Sequence, residues 1–296
     1  AEKNTNMTAT TLHITSGDTV GVNLAQAGLG GDILVWHDVL YDGDRCPGWP
    51  DADGITARVE FLFRVTGGGL SREELQRTMR DQYERLAAAS AYKRRVLWFD
   101  ACLFDQSMLV HLLACLNEKG VRNLELIEVA SFPGITPYHG LGQLSPAQLA
   151  SLYDSRQPVT SAQFDFAMRV DRALAEYDVT AWKELAGMSS APLAYVPAAM
   201  ARRLLEEPDP QTGLGRLESL ALDAIRAGNN TPTKIYQAVS AADSVPQFWG
   251  DTTLWAIING LAERQPPLVR ITGPAVRLPQ WESPHDLGKF RITAIG

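Results

Sequence analysis

Three stretches of this chain end an apolar run in carboxylates. The first is Leu12-His13-Ile14-Thr15-Ser16-Gly17-Asp18, the second Leu34-Val35-Trp36-His37-Asp38-Val39-Leu40-Tyr41-Asp42-Gly43, and the third Val96-Leu97-Trp98-Phe99-Asp100-Ala101-Cys102-Leu103-Phe104-Asp105-Gln106. Three or more converging carboxylates suit a hard cation such as Mg²⁺, which can in turn hold a phosphate. His37 can act as a general acid or base, because imidazole changes charge near neutral pH. The candidate ligand-binding residues are therefore Ser16, Gly17, Asp18, Trp36, His37, Asp38, Asp100 and Asp105. Each also has a structural reading. Asp18 or Ser16 can cap a helix, and Asp38, Asp42 and Asp44 are ordinary turn residues. Trp36, Trp98 and Phe99 can stack on a ring ligand, although core packing is the commoner role of such aromatics. His13, inside a strand, fits a hydrogen-bonded core histidine. Cys102 falls at a helix start, where a thiol pKa drops, but Asp100 and Asp105 oppose that. Asp51-Ala52-Asp53-Gly54 resembles part of a calcium loop without the downstream glutamate. No GxGxxG, P-loop, GxSxG or HExxH motif is present, and the pattern assigns no catalytic role, metal ligand set or cofactor.

For these residues to meet, they must sit on neighbouring strand ends. Thr10 to Thr15 alternates and is rich in β-formers. Val20, Leu24 and Ala27 then follow at helical spacing, and Gly28-Leu29-Gly30-Gly31 ends the helix. Asp32 to Trp36 reads as a second strand, which makes a βαβ unit with parallel strands. Ligands of such sheets bind beyond the carboxyl ends of the strands, where the candidate residues fall. Ile55 to Val65 reads as a helix through Val59, Leu62 and Phe63, and Ser71 to Ala88 as a helix opened by a capping box. Arg95 to Phe99 and Asn123 to Ala130 are further strands around a buried helix at Gln106 to Asn117. The loop from Ser131 to Gln143 lies on the same sheet edge and can act as a lid. From Ser145 the pattern turns helical, and Glu207-Pro208-Asp209-Pro210-Gln211-Thr212-Gly213 reads as a linker. Beyond it come three helices and then strands at Leu268 to Thr272 and Phe290 to Ile295, the order of a winged helix. The expected architecture is an α/β, Rossmann-like domain over residues 9–156 with a mostly parallel sheet and flanking helices. A helical connector over 157–207 and a winged-helix-like unit over 212–296 follow.

Composition narrows the function. The 296 residues are 45% hydrophobic and 21% charged, an ordinary balance for a chain with an ample core. No apolar run reaches the ~18 residues that span a bilayer. The polar stretch Ala1 to Thr11 carries no apolar signal segment, and Met7 can be a natural start after a leader at Ala1 to Asn6. Three scattered cysteines fit a reduced, cytoplasmic setting. A net charge of −7 argues against nucleic-acid binding, and residues 212–296 carry eight Lys or Arg against seven Asp or Glu. The expected partners are a small-molecule ligand and a second copy of the chain, with no membrane. The leading expectation is a small-ligand site at the carboxyl edge of the sheet, with a phosphate-bearing ligand as its most concrete form. The alternative is a non-catalytic regulatory or interaction protein that oligomerises or binds partners through the winged-helix-like unit.

At its three acid-ended segments the chain resembles the uncharacterised bacterial family catalogued as domain of unknown function 1835. The family's HI-x-x-GD motif is matched by His13-Ile14-Thr15-Ser16-Gly17-Asp18, and its VW-x-D-x-L-x-x-G segment by Val35 to Gly43. Its LWF-acid segment is matched by Leu97-Trp98-Phe99-Asp100, with Asp105-Gln106 closing it. Gly213 to Glu218 and Phe248-Trp249-Gly250-Asp251 extend the resemblance over most of the chain. It implies no function. Relatives have a His-Asp pair where this chain has Ala101-Cys102, so any site built on that pair is altered here.

Overall fold

The computed structural model describes residues 10–243, 246–281 and 286–296. Ala1 to Met7, read as leader and start, lie outside them. Strands β1 (Thr11–Ser16), β2 (Asp32–Trp36), β3 (Arg94–Asp100), β4 (Glu125–Val129) and β5 (Gln157–Pro158) form one sheet in the order β2-β1-β3-β4-β5. The first four are parallel, with Ser16 beside Trp36 and Thr15 beside Trp98. The two-residue β5 runs antiparallel on β4. It escapes a sequence reading because two residues show no alternation, and Pro158 is tolerated because an edge strand needs no donor there.

Helix α1 (Asp18–Gln26) leads from β1 to β2, while α2 (Ala52–Val65) and α3 (Arg72–Ala87) carry the chain on to β3. Helix α4 (Leu103–Glu118) joins β3 to β4. The winding thus reverses between β1 and β3, and the switch-point crevice lies between Ser16 and Asp100. Alternation along the strands sorts two faces. Leu12, Ile14, Leu34, Trp36, Leu97 and Phe99 pack toward α2, α3 and α4. Val96, Trp98, Ile127 and Val129 pack on Val20 and Leu24 of α1 and on Leu149 of α5 (Pro146–Leu152). Burying each such Leu or Ile contributes roughly 1.5–3 kcal/mol.

The helix expected over 55–65 is present and begins earlier. Asp51 accepts a hydrogen bond from the Gly54 amide at 2.8 Å, so Asp51-Ala52-Asp53-Gly54 is a helix cap and not a calcium loop. The capping box at Ser71 and Glu74 forms as read. Helices α6 (Ser161–Ala175), α7 (Val179–Ala186) and α8 (Val196–Leu205) continue the chain. Helices α9 (Arg216–Arg226), α10 (Pro232–Ala242) and α11 (Asp251–Glu263) follow, then an antiparallel pair, β6 (Val269–Thr272) and β7 (Arg291–Ala294). One apolar cluster runs without a break from Leu12 to Ile292, so these last elements share the core of the sheet's helices. Among the described residues no helix is long and apolar enough to cross a membrane.

The connection between β6 and β7 is pinned by Asn259 on α11, which accepts from the Leu278 amide at 2.7 Å and donates to its carbonyl at 3.0 Å. Gln280 then donates to the Val65 carbonyl at 2.5 Å. These bonds bring Trp281 to the C-terminal end of α2.

Candidate functional site

The carboxyl ends of β1 and β2 open into a cleft of about 920 Å³. Gly17, Asp18, Trp36, His37 and Asp38 line it from the sheet. Phe61, Leu62 and Val65 of α2 and Leu75 and Met79 of α3 form one wall. Arg203, Glu206, Glu207 and Glu218 stand opposite, with Thr252, Thr253, Ala256 and Ile257 of α11. Tyr177 and Trp281, both about half exposed, also line it.

The eight candidate residues fall into two groups, because the strand ends point them differently. In the cleft, Gly17 takes φ +74 at the start of α1, a left-handed backbone that favours glycine, and no side chain caps the helix. The expected cap by Asp18 or Ser16 is therefore absent. Asp18 is the first residue of α1, and its carboxylate lies 2.7 Å from His37 Nε2. Gln82 fixes the His37 backbone from α3, accepting from its amide at 3.0 Å and donating to its carbonyl at 3.3 Å. Asp38 is buried against Arg58 at 2.6 Å, and Arg58 also donates to the Asp42 and Val39 carbonyls. Asp38 is thus a structural anchor of the turn after β2, with no oxygen left to offer a ligand ion. Trp36 packs edge-on to Tyr83, with ring centroids 4.8 Å apart, and its buried indole N–H has no partner among the described residues.

Ser16, Asp100 and Asp105 form the second group, at the switch point. Ser16 Oγ donates to Asp105 Oδ1 and the Asp100 amide to Asp105 Oδ2, both at 2.6 Å. The Ser131–Gln143 loop sits on Asp100: Tyr138 Oη donates to Oδ1 at 2.6 Å and the Leu141 amide to Oδ2 at 2.8 Å. The seat requires Gly140, whose φ is +138 and where a Cβ would stand 2.6 Å from Asp100 Oδ2. Burial, with the neighbouring Asp100 charge, pushes the Asp105 carboxyl up to about 8, and burial lifts Asp100 to about 6. The loop read as a lid therefore covers this carboxyl pair, whose residues are absent from the cleft wall.

The carboxylates do not converge. Asp38 answers Arg58, Asp105 answers Ser16 and the Asp100 amide, and Asp18 answers His37. Among the described residues no three His, Cys, Asp or Glu side chains are placed to share a metal ion, so the three-carboxylate arrangement is not formed there. The reactive-thiol reading of Cys102 fails as well. The residue precedes α4, but burial first, and then Asp105 and Asp100, push its pKa well up. Trp98 and Phe99 are fully buried core residues. His13 accepts from the Trp98 indole N–H at 3.1 Å, so its Nε2 carries the proton and donates to the Gly30 carbonyl at 3.0 Å. Burial lowers its pKa and keeps it neutral.

Sequence reasoning did not single out Gln82, Arg58, Phe61, Arg203 or Trp281. Arg58 alone left a signal, a charge on the apolar face that holds Ile55, Val59 and Leu62. Neither the comparison with protein-family models nor that with curated proteins returns a match.

Proposed function

We propose that this chain binds a small molecule with a largely apolar body in the cleft at the carboxyl ends of β1 and β2. The observation that carries the reading is the cleft itself. Its volume of about 920 Å³ lies at the top of the range for small-molecule pockets, and its wall is mostly apolar with a few polar groups. Its walls come from the sheet and its helices on one side and from α8, α9 and α11 on the other. Occupancy would therefore tie the two halves together, which joins the ligand reading to a regulatory one. In that reading the three helices and the β6–β7 hairpin act as a winged-helix-like unit that senses the ligand. The half-exposed face of α11, which a DNA-reading helix would turn outward, is spent on the cleft through Thr252, Thr253, Ala256 and Ile257. Membership of the family of domain of unknown function 1835 belongs to the same proposal, since the family's motifs supply Gly17, Asp18, Trp36 and Asp38.

The phosphate-bearing version has less support. The described basic side chains of the wall are His37, beside Asp18, and Arg203, which already donates to the Tyr41 carbonyl and to Glu207. The test uses Nile red, an uncharged apolar fluorophore. Saturable binding with one site per chain is expected, lost in Ala256→Trp, which fills the cleft, at unchanged melting temperature. Absence of saturable binding, or equal binding by that variant, would refute the reading.

A further inference from the structure

We infer that the ligand of this cleft is a cation, an amine or related group on a ring-containing apolar body. The inference rests on the small-ligand reading and names the ligand's charge class. Six acids line the cleft against one arginine, so the first question is which of them lack a fixed countercharge. Asp38 is neutralised by Arg58, Glu207 by Arg203 and Glu218 by Arg264, and Glu206 is paired with Arg202, which it shares with the buried Asp243. Two remain. Among the described residues Asp18 faces only the imidazole of His37, and Asp42 has Arg203 no nearer than 3.9 Å while that guanidinium is committed to Glu207. Their side chains are 80% and 52% exposed, so both stand where the cleft meets water and a ligand's charged end can stay partly solvated.

Aromatic faces complete the argument. Tyr177 and Trp281 line the cleft while remaining about half exposed; Arg203 already lies over the Tyr177 ring at 5.5 Å and Arg202 over the Phe248 ring at 4.8 Å, so Trp281 is the exposed ring offered to a ligand. Exposed aromatic faces attract cations through their ring quadrupole and repel anions. A separate observation points to a ligand: the indole N–H of Trp36, a residue of the cleft wall, is buried with no acceptor among the described residues. A buried donor left unpaired is costly, and an oxygen on the ligand's ring body would satisfy it only if the indole turns to bring its N–H to the cleft surface.

The test compares three probes on one ring system: methoxynaphthyl-ethylamine, methoxynaphthyl-ethanol and methoxynaphthyl-acetate, by calorimetry on the full chain. The amine is expected to bind about tenfold more tightly than the acetate, with the alcohol between them, and added salt should narrow the spread. In the Asp18→Asn/Asp42→Asn double variant, both positions being exposed, the spread should fall below about threefold while the alcohol's affinity stays unchanged. If the alcohol or acetate binds the wild type most tightly, or if the double variant keeps the full spread, the cation inference is overturned and the apolar cleft stands. If none of the three binds, the small-ligand reading falls and the inference with it.

Discussion

Asp105 and Asp100 place a titratable carboxyl pair beneath a loop, which makes stability pH-dependent at the scale of single residues. A carboxyl whose folded pKa is raised holds a proton that the unfolded chain has released. Its stabilisation is therefore complete below the unfolded value near about 4 and is lost as pH rises through the folded values. With Asp100 at about 6 and Asp105 at about 8, the loss spans about pH 4 to 8. Asp105→Asn mimics the protonated acid, with an oxygen for the Asp100 amide and an NH₂ for Ser16 Oγ. Urea unfolding should find it near wild type at pH 5 and more stable by at least about 1 kcal/mol at pH 8. Parallel stability profiles for the two proteins would contradict this. Little of the arrangement was legible beforehand. Spacing put Asp100 and Asp105 on one segment, but Ser16 lies 89 positions away and Tyr138 38 away, so no local pattern links them.

At the scale of elements, the turn after β2 is held by one arginine of α2. Arg58 grips the Asp38 carboxylate through Nε and a terminal nitrogen, and donates to the Val39, Asp42 and Asp44 carbonyls. Only a planar guanidinium reaches all of these at once. Arg58→Met leaves Asp38 buried and unpaired, and chemical denaturation should show a loss of about 3–5 kcal/mol. Arg58→Lys, usually a mild change, should recover only part of it. A lysine variant as stable as wild type would show that the fork is dispensable. The elements themselves were largely readable. The capping boxes at Ser71, Ser145 and Thr160 depend on residues three apart, and the strands on alternation within five or six residues. The cap expected at the start of α1 does not form, because Gly17 leaves the helix uncapped and Ser16 turns instead to Asp105.

At the scale of the whole molecule, the single apolar cluster from Leu12 to Ile292 bears on how the parts unfold. The expected boundaries at 156 and 212 would suggest separate units. Because α8, α9 and α11 share side-chain packing with the sheet's helices, thermal unfolding should be one cooperative transition with matching calorimetric and van't Hoff enthalpies. Two resolved transitions would restore the independent units.

What the sequence by itself determined is most of the strands and helices and the edge of the sheet where acids gather. Those follow from backbone propensity and periodicity, which act over a few residues. What only the tertiary structure decided is the state of each acid. Asp38 became an anchor because Arg58 on the next helix reaches it, and Asp105 became a buried proton holder because the fold buries it and sets it beside Asp100. Asp18 and Asp42 kept their charge available because no guanidinium is committed to them. The free energy of a carboxylate depends on its desolvation and its nearest cation, and both are fixed by through-space neighbours that adjacency along the chain does not encode.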